Sequence, residues 1–230
     1  MENFSYIKNN YLSLLEEIEK ISMRAGVAVP TLVSVTKSGS DEELLALAEA
    51  GALDFGENRP GDVRRRTDIL KANGYSPRMH EIGTLQRNKI KLIASDVFMI
   101  HSIDSVKLAE DVNRFAESLG RKIPVLIEIN SAAEEQKGGV LPSMAEKFYE
   151  EIAPLKNIEI SGLMTMGPLS DNPEELRPYF RETKKLFDKL VCKYGLSENP
   201  TLSMGMSDSY AVAIEEGSTL VRVGRKLFKK

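Results

Sequence analysis

Short apolar or β-branched runs alternate along this chain with longer stretches whose apolar residues recur at helical spacing. The short runs cover residues 31–35, 53–55, 79–82, 97–100, 125–129, 160–164, 201–204 and 220–223. Runs of this length, bounded by turn-forming residues, predict strands buried on both faces. Between them, 41–50, 105–119, 142–152 and 173–194 carry amphipathic helical patterns, several opened by the Ser, Asp or Pro that helix starts favour. Ahead of the first run, 5–24 places Ile7, Tyr11, Leu14, Leu15, Ile18 and Ile21 on one helical stripe, which predicts an extra helix before the repeat.

Strand–helix alternation means parallel pairing through right-handed crossovers, and eight such units predict an α/β fold, a closed (β/α)8 barrel of the TIM type. A doubly wound open sheet gives the same local pattern, and the third and seventh strands are the weakest of the set. The chain has 230 residues and no Pro-, Gly- or Ser-rich linker to divide it. A single α/β-barrel domain over 1–230 is therefore expected.

Composition narrows the function. With 42% hydrophobic and 28% charged residues the chain can bury a sizeable core, and a net charge of −3 offers no general attraction to nucleic acid or anionic lipid. Neither partner is expected. Arg64-Arg65-Arg66 and Lys229-Lys230 are the like-charge clusters, read as solvated surface. The first twenty residues are too polar for a signal peptide, and no apolar stretch approaches the roughly 20 residues that span a bilayer. A cytoplasmic location follows. Cys192, the single cysteine, allows no internal disulfide and reads as a half-buried structural thiol within a helix. His80 and His101, the two histidines, have no carboxylate at metal-ligand spacing, so no metal site is expected and each is read first as a packed or hydrogen-bonded residue. Nucleotide-binding glycine loops and HExxH are absent from the sequence.

In a parallel barrel, functional groups gather at the carboxyl ends of the strands. That selects Lys37, Asn58, the stretch 80–86, His101, Asn130, Met166, Ser207, and Arg222 with Gly224. Lys37 ends the first strand, where a partly desolvated amine suits Schiff-base chemistry. On position alone, the commoner role for such a lysine is to cap the strand and face water. The small residues after strands seven and eight, in Ser203-Met204-Gly205-Met206-Ser207-Asp208 and Val221-Arg222-Val223-Gly224, suit a phosphate site. Taken singly, each is also ordinary turn and cap chemistry.

Together these motifs resemble, over nearly the whole chain, the pyridoxal phosphate homeostasis (binding) proteins, which share the barrel of the alanine racemase N-terminal domain. The matching stretches are Val33-Ser34-Val35-Thr36-Lys37, Phe55-Gly56-Glu57-Asn58-Arg59, the run from His80 to Lys89, His101-Ser102-Ile103-Asp104, Gly162-Leu163-Met164-Thr165-Met166, Leu202-Ser203-Met204-Gly205-Met206-Ser207 and Val221-Arg222-Val223-Gly224. The resemblance implies a fold-type III site for pyridoxal 5′-phosphate (PLP), with the Schiff base on Lys37. It places the phosphate on Ser207 and the backbone at Gly224 and Arg225, Arg222 at the pyridine nitrogen, and Asn58, His80 and Met204 around the cofactor. Three departures stand out. Ser38-Gly39-Ser40 follows Lys37 where the family often has Thr and Pro, Pro60-Gly61 follows Arg59, and Ser209 holds a position expected to be Asp. The first two put the mobility of the loops after the first two strands in question.

Racemases of this fold draw a second acid–base group from a separate β-rich domain of a partner subunit, whereas here seven residues follow Val223. The expected function is therefore a carrier: cofactor supply and vitamin B6 homeostasis, no catalytic residues, PLP-dependent apoenzymes as recipients, and a monomer. An amino-acid racemase or related enzyme of weak activity is the alternative. A third reading, a barrel enzyme acting on a phosphorylated metabolite without PLP, predicts a colourless protein.

Overall fold

The computed structural model describes residues 4–134, 136 and 138–230. Eight parallel strands close in sequence order into a barrel: β1 (Thr31–Val35), β2 (Asp54–Glu57), β3 (Arg78–Glu81), β4 (Val97–Ile103), β5 (Ile123–Glu128), β6 (Ile158–Met164), β7 (Thr201–Ser203) and β8 (Leu220–Val223). Closure between β1 and β8, from Thr31↔Leu220 to Ser34↔Val223, excludes the open-sheet alternative. The two weakest predicted strands are present, although β7 has only three residues and pairs β8 at a single position, Ser203↔Leu220.

Among the described residues, seven α-helices pack around the strands: α1 (Ser5–Ala25), α2 (Asp41–Glu49), α3 (Pro60–Ala72), α4 (Val106–Ser118), α5 (Ala145–Ile152), α6 (Arg177–Tyr194) and α7 (Tyr210–Glu215). The predicted helices at 142–152 and 173–194 each open with a 3-10 turn, Pro142–Met144 and Pro173–Leu176. Pro178 has no N–H to donate, and it sits where the tighter turn gives way to α6. Between β3 and β4 the chain forms a 3-10 helix, Arg87–Leu92, in place of a full α-helix. No helix among the described residues is long and apolar enough to cross a membrane.

The main apolar core lies between strands and helices. There α1 buries Ile7, Tyr11, Leu14, Ile18 and Ile21, as its stripe requires. Inside the barrel a separate small cluster, Met99, Leu126 and Met164, shares the space with polar side chains. Two surface readings need correction. Cys192 is exposed, because its position on α6 falls outside the buried face formed by Phe180, Thr183, Phe187 and Leu190. Arg66 is only 4% exposed, because it falls on the inward stripe of α3 with Val63, Thr67 and Leu70.

Candidate functional site

The carboxyl ends of the strands surround a cavity of about 650 Å³. Lys37, Asn58, Ser207, Arg222, Gly224 and Arg225, chosen from widely separated parts of the sequence, all line it. Lys37 begins the turn after β1, and its side chain is exposed at the cavity wall instead of desolvated as its strand-end position suggested. That turn is tied down. The Gly39 N–H donates to the Thr36 carbonyl at 2.9 Å, and Arg66 from α3 donates to the carbonyls of Gly39 and Ser40 at 2.6 and 3.3 Å. Ser40 then caps α2 in a capping box with Glu43. The departure from the family pattern after Lys37 thus forms a well-anchored turn.

Asn58 follows β2 and lies against Gly83, where a Cβ would come within 2.3 Å of the Asn58 carbonyl oxygen, so only glycine fits. Across the mouth, Gly205 has φ of 93°, and a side chain there would strike Ala213 and Tyr210 of α7. The resulting tight turn is closed by Ser209, whose Oγ accepts the Met206 N–H at 3.1 Å. It carries Ser207 to the cavity wall, where the hydroxyl accepts the Gly224 N–H at 3.3 Å. Ser207 is 6% exposed. Arg225 pairs with Asp208 on the rim.

Arg222 points inward from β8 and is 4% exposed. It donates to Ser203 Oγ at 2.5 Å and to the Thr165 carbonyl at 3.1 Å. Burial lowers its pKa to about 10, with Glu128 opposing the shift. Glu128, at the end of β5, also lines the cavity, and selection by residue type and motif missed it in favour of Asn130. Burial, helped by Asp104 and opposed by Arg222, raises the Glu128 carboxyl to about 7. Its strand-end position was the available signal.

Two predicted contacts are not in the cavity wall. His80 lies deeper in the barrel, 1% exposed, with Nε2 3.0 Å from Asp54 and Nδ1 2.9 Å from His101 Nε2. His101 Nδ1 in turn lies 3.0 Å from Ser203 Oγ. Both histidines are hydrogen-bonded interior residues; His80, which the resemblance places at the ring, does not line the cavity, whose wall on this side is formed by Ile82, Gly83 and Thr84 just past β3. Met204 is fully buried in the outer apolar core, since it faces the helices while Ser203 faces inward.

The barrel falls in a known class: the family model described as alanine racemase, N-terminal domain, matches residues 12–230. The alanine racemase of Clostridium difficile 630 shares the fold at a TM-score of 0.73 and 19% identity, over 99% of this chain and 56% of that one. The pyridoxal phosphate homeostasis protein of Aquifex aeolicus (strain VF5) is 39% identical over 217 residues, 94% of each chain. PipY of Synechococcus elongatus PCC7942, solved with PLP bound, is 27% identical with a TM-score of 0.83 over 97% of this chain and 100% of its own. The chain belongs to the pyridoxal phosphate homeostasis protein family.

Proposed function

We propose that this chain holds pyridoxal 5′-phosphate at the carboxyl mouth of its barrel, carried on Lys37, and acts in vitamin B6 homeostasis as a cofactor carrier. The observation that carries the reading is convergence. An exposed amine after β1, a hydroxyl and a glycine N–H after β7 and β8, and a buried guanidinium on β8 line one cavity. This donor set fits the group: Ser207 and the Gly224 backbone suit a phosphate, Lys37 an aldehyde, and Arg222 a ring nitrogen that stays unprotonated beside a cation. Bound there, PLP supplies an aldehyde for the amine and an electron-withdrawing ring. PipY, with PLP bound, supports the reading.

On this reading Ser207, Gly224 and the Arg225 backbone hold the phosphate, Asn58 flanks the ring, and Arg222 faces the pyridine nitrogen. The chain works as one unit, a cytoplasmic monomer without turnover that passes PLP to apoenzymes. The test is spectroscopic. Purified wild type mixed with PLP gains the visible absorbance of lysine-bound cofactor, and Lys37→Ala does not; a retained band in the variant overturns the assignment of Lys37.

One observation favours weak racemisation as a second reading. Glu128, with its carboxyl near pH 7, is an acid–base group on the same cavity. Deuterium exchange at the Cα of L-alanine, catalysed by wild type and lost in Glu128→Gln, is the expected sign of it. Absence of exchange in wild type removes this reading.

A further inference from the structure

Asp54, His80, His101, Ser203 and Arg222 form an unbroken polar row from the amino end of β2 to the cavity, each at most 6% exposed. Both ends are compatible with one arrangement of the protons between them, and the Asp54 end requires it while the two rings are neutral. A guanidinium has donors only, so Ser203 Oγ accepts from Arg222 and keeps its own hydrogen available for His101 Nδ1. His101 then carries its hydrogen on Nε2 and donates it to His80 Nδ1, and His80 donates from Nε2 to Asp54. Starting instead from Asp54, a carboxylate that only accepts, gives the same assignment in reverse. A single reversed donor would set two hydrogens or two lone pairs face to face.

We infer that Asp54, His80, His101 and Ser203 are positioning residues that hold the Arg222 guanidinium in the cavity wall through this one-way row of hydrogen bonds. The need is physical. Arg222 is long, and the carboxyl of Glu128 attracts it from the same cavity. Ser203 and the Thr165 carbonyl are the two acceptors that hold it. At the other end, Arg78 donates to the second Asp54 oxygen, and the Tyr11 phenol is raised above its ordinary range by burial, with the Asp54 charge adding to the shift. Burial holds both imidazoles below their ordinary range, His101 further depressed by His80 and Arg222, so the row takes up no extra proton near neutral pH.

Only the consequence for a bound ring rests on the proposed function; the row belongs to the protein alone. The test is 15N NMR of the ligand-free full chain with labelled histidine and arginine. Wild type should show both imidazoles as neutral Nε2–H tautomers at pH 7.5, and a charged imidazole or an Nδ1–H tautomer there overturns the inference. Asp54→Asn can keep its carbonyl toward Arg78 and turn its amide N–H toward His80. It should convert both rings to Nδ1–H, including His101, which residue 54 does not touch; conversion of His80 alone shows that the row does not transmit. Ser203→Ala should speed hydrogen exchange at the Arg222 side chain at least tenfold, and an unchanged rate denies the positioning role. PLP affinity should also fall several-fold in Ser203→Ala, and unchanged affinity beside a freed Arg222 overturns the consequence for the ring. If wild type binds no PLP, the proposed function fails while the ligand-free measurements still decide the row.

Discussion

Strands β2 and β3 bury acidic groups on both faces, and the two faces treat them in opposite ways. Inside the barrel both oxygens of Asp54 have partners, one on His80 and the other on Arg78. Although burial opposes ionisation, hydrogen bonds from His80 and Arg78 hold its carboxyl below the usual range. On the outer face, Glu57 and Glu81 stand directly across from each other in the parallel register, both fully buried. Each leaves Oε2 without a hydrogen-bond partner. Burial raises both carboxyls, Glu81 to about 8 with Glu57 adding to the shift. A donor on each oxygen outweighs burial at Asp54, whereas at Glu57 and Glu81 burial outweighs the partners each has. The outer group also reaches the site. Glu57 accepts from Thr36 and lies 3.0 Å from Arg66, the residue that ties down the Lys37 turn.

Substitutions on the two faces should therefore behave differently. The largest effect is expected from Arg66→Met, which strands Glu57 without its cation and frees the carbonyls of Gly39 and Ser40. Urea unfolding at pH 7 should show a loss of about 3–5 kcal/mol, and a loss below 1 would mean that Arg66 is dispensable to the outer group. Glu81→Gln should act in the other direction. A raised carboxyl costs nothing while protonated in both states, below its unfolded value near 4.5, and costs progressively more as pH climbs through about 8. The variant, neutral throughout, should gain on the order of 3 kcal/mol over wild type at pH 8 and nothing near pH 4.5. Asp54→Asn has the opposite sign. A lowered carboxyl stabilises above its unfolded value and loses that contribution as pH falls through its folded one. The variant should cost about 2 kcal/mol at pH 7, with the gap closing in acid. If both amide variants shifted stability in the same direction at pH 8, the contrast between the faces would fail.

How much of this was readable in advance depends on which way a side chain turns. The strands at 31–35 and 220–223 were legible to the residue because their apolar runs stop where the barrel does. Lys37, Ser207 and Gly224 were legible as cavity-lining residues because the cavity opens just past the strand ends. Glu57 and Glu81 were not, since an acidic residue in a strand looks solvent-facing until the helices packed over it are known. Arg66 was hidden by its neighbours in a basic run, although the spacing of Val63, Arg66, Thr67 and Leu70 marks a helix stripe. His80 reads as a cavity residue by motif, and only the strand register shows that the sheet continues past it. α7, six residues long, is too short for a periodic pattern to announce it.

The single register pair between β7 and β8 has a mechanical consequence. Side chains stitch this narrow seam: Ser218 Oγ lies within reach of the Leu202, Met204 and Leu220 carbonyls, and Thr219 Oγ1 accepts the Leu202 N–H. Ser207 and Gly224 sit on opposite sides of the same seam, bridged by one 3.3 Å hydrogen bond. A phosphate gripping both would act as a clasp across this seam, adding a link where a single register pair joins the two strands.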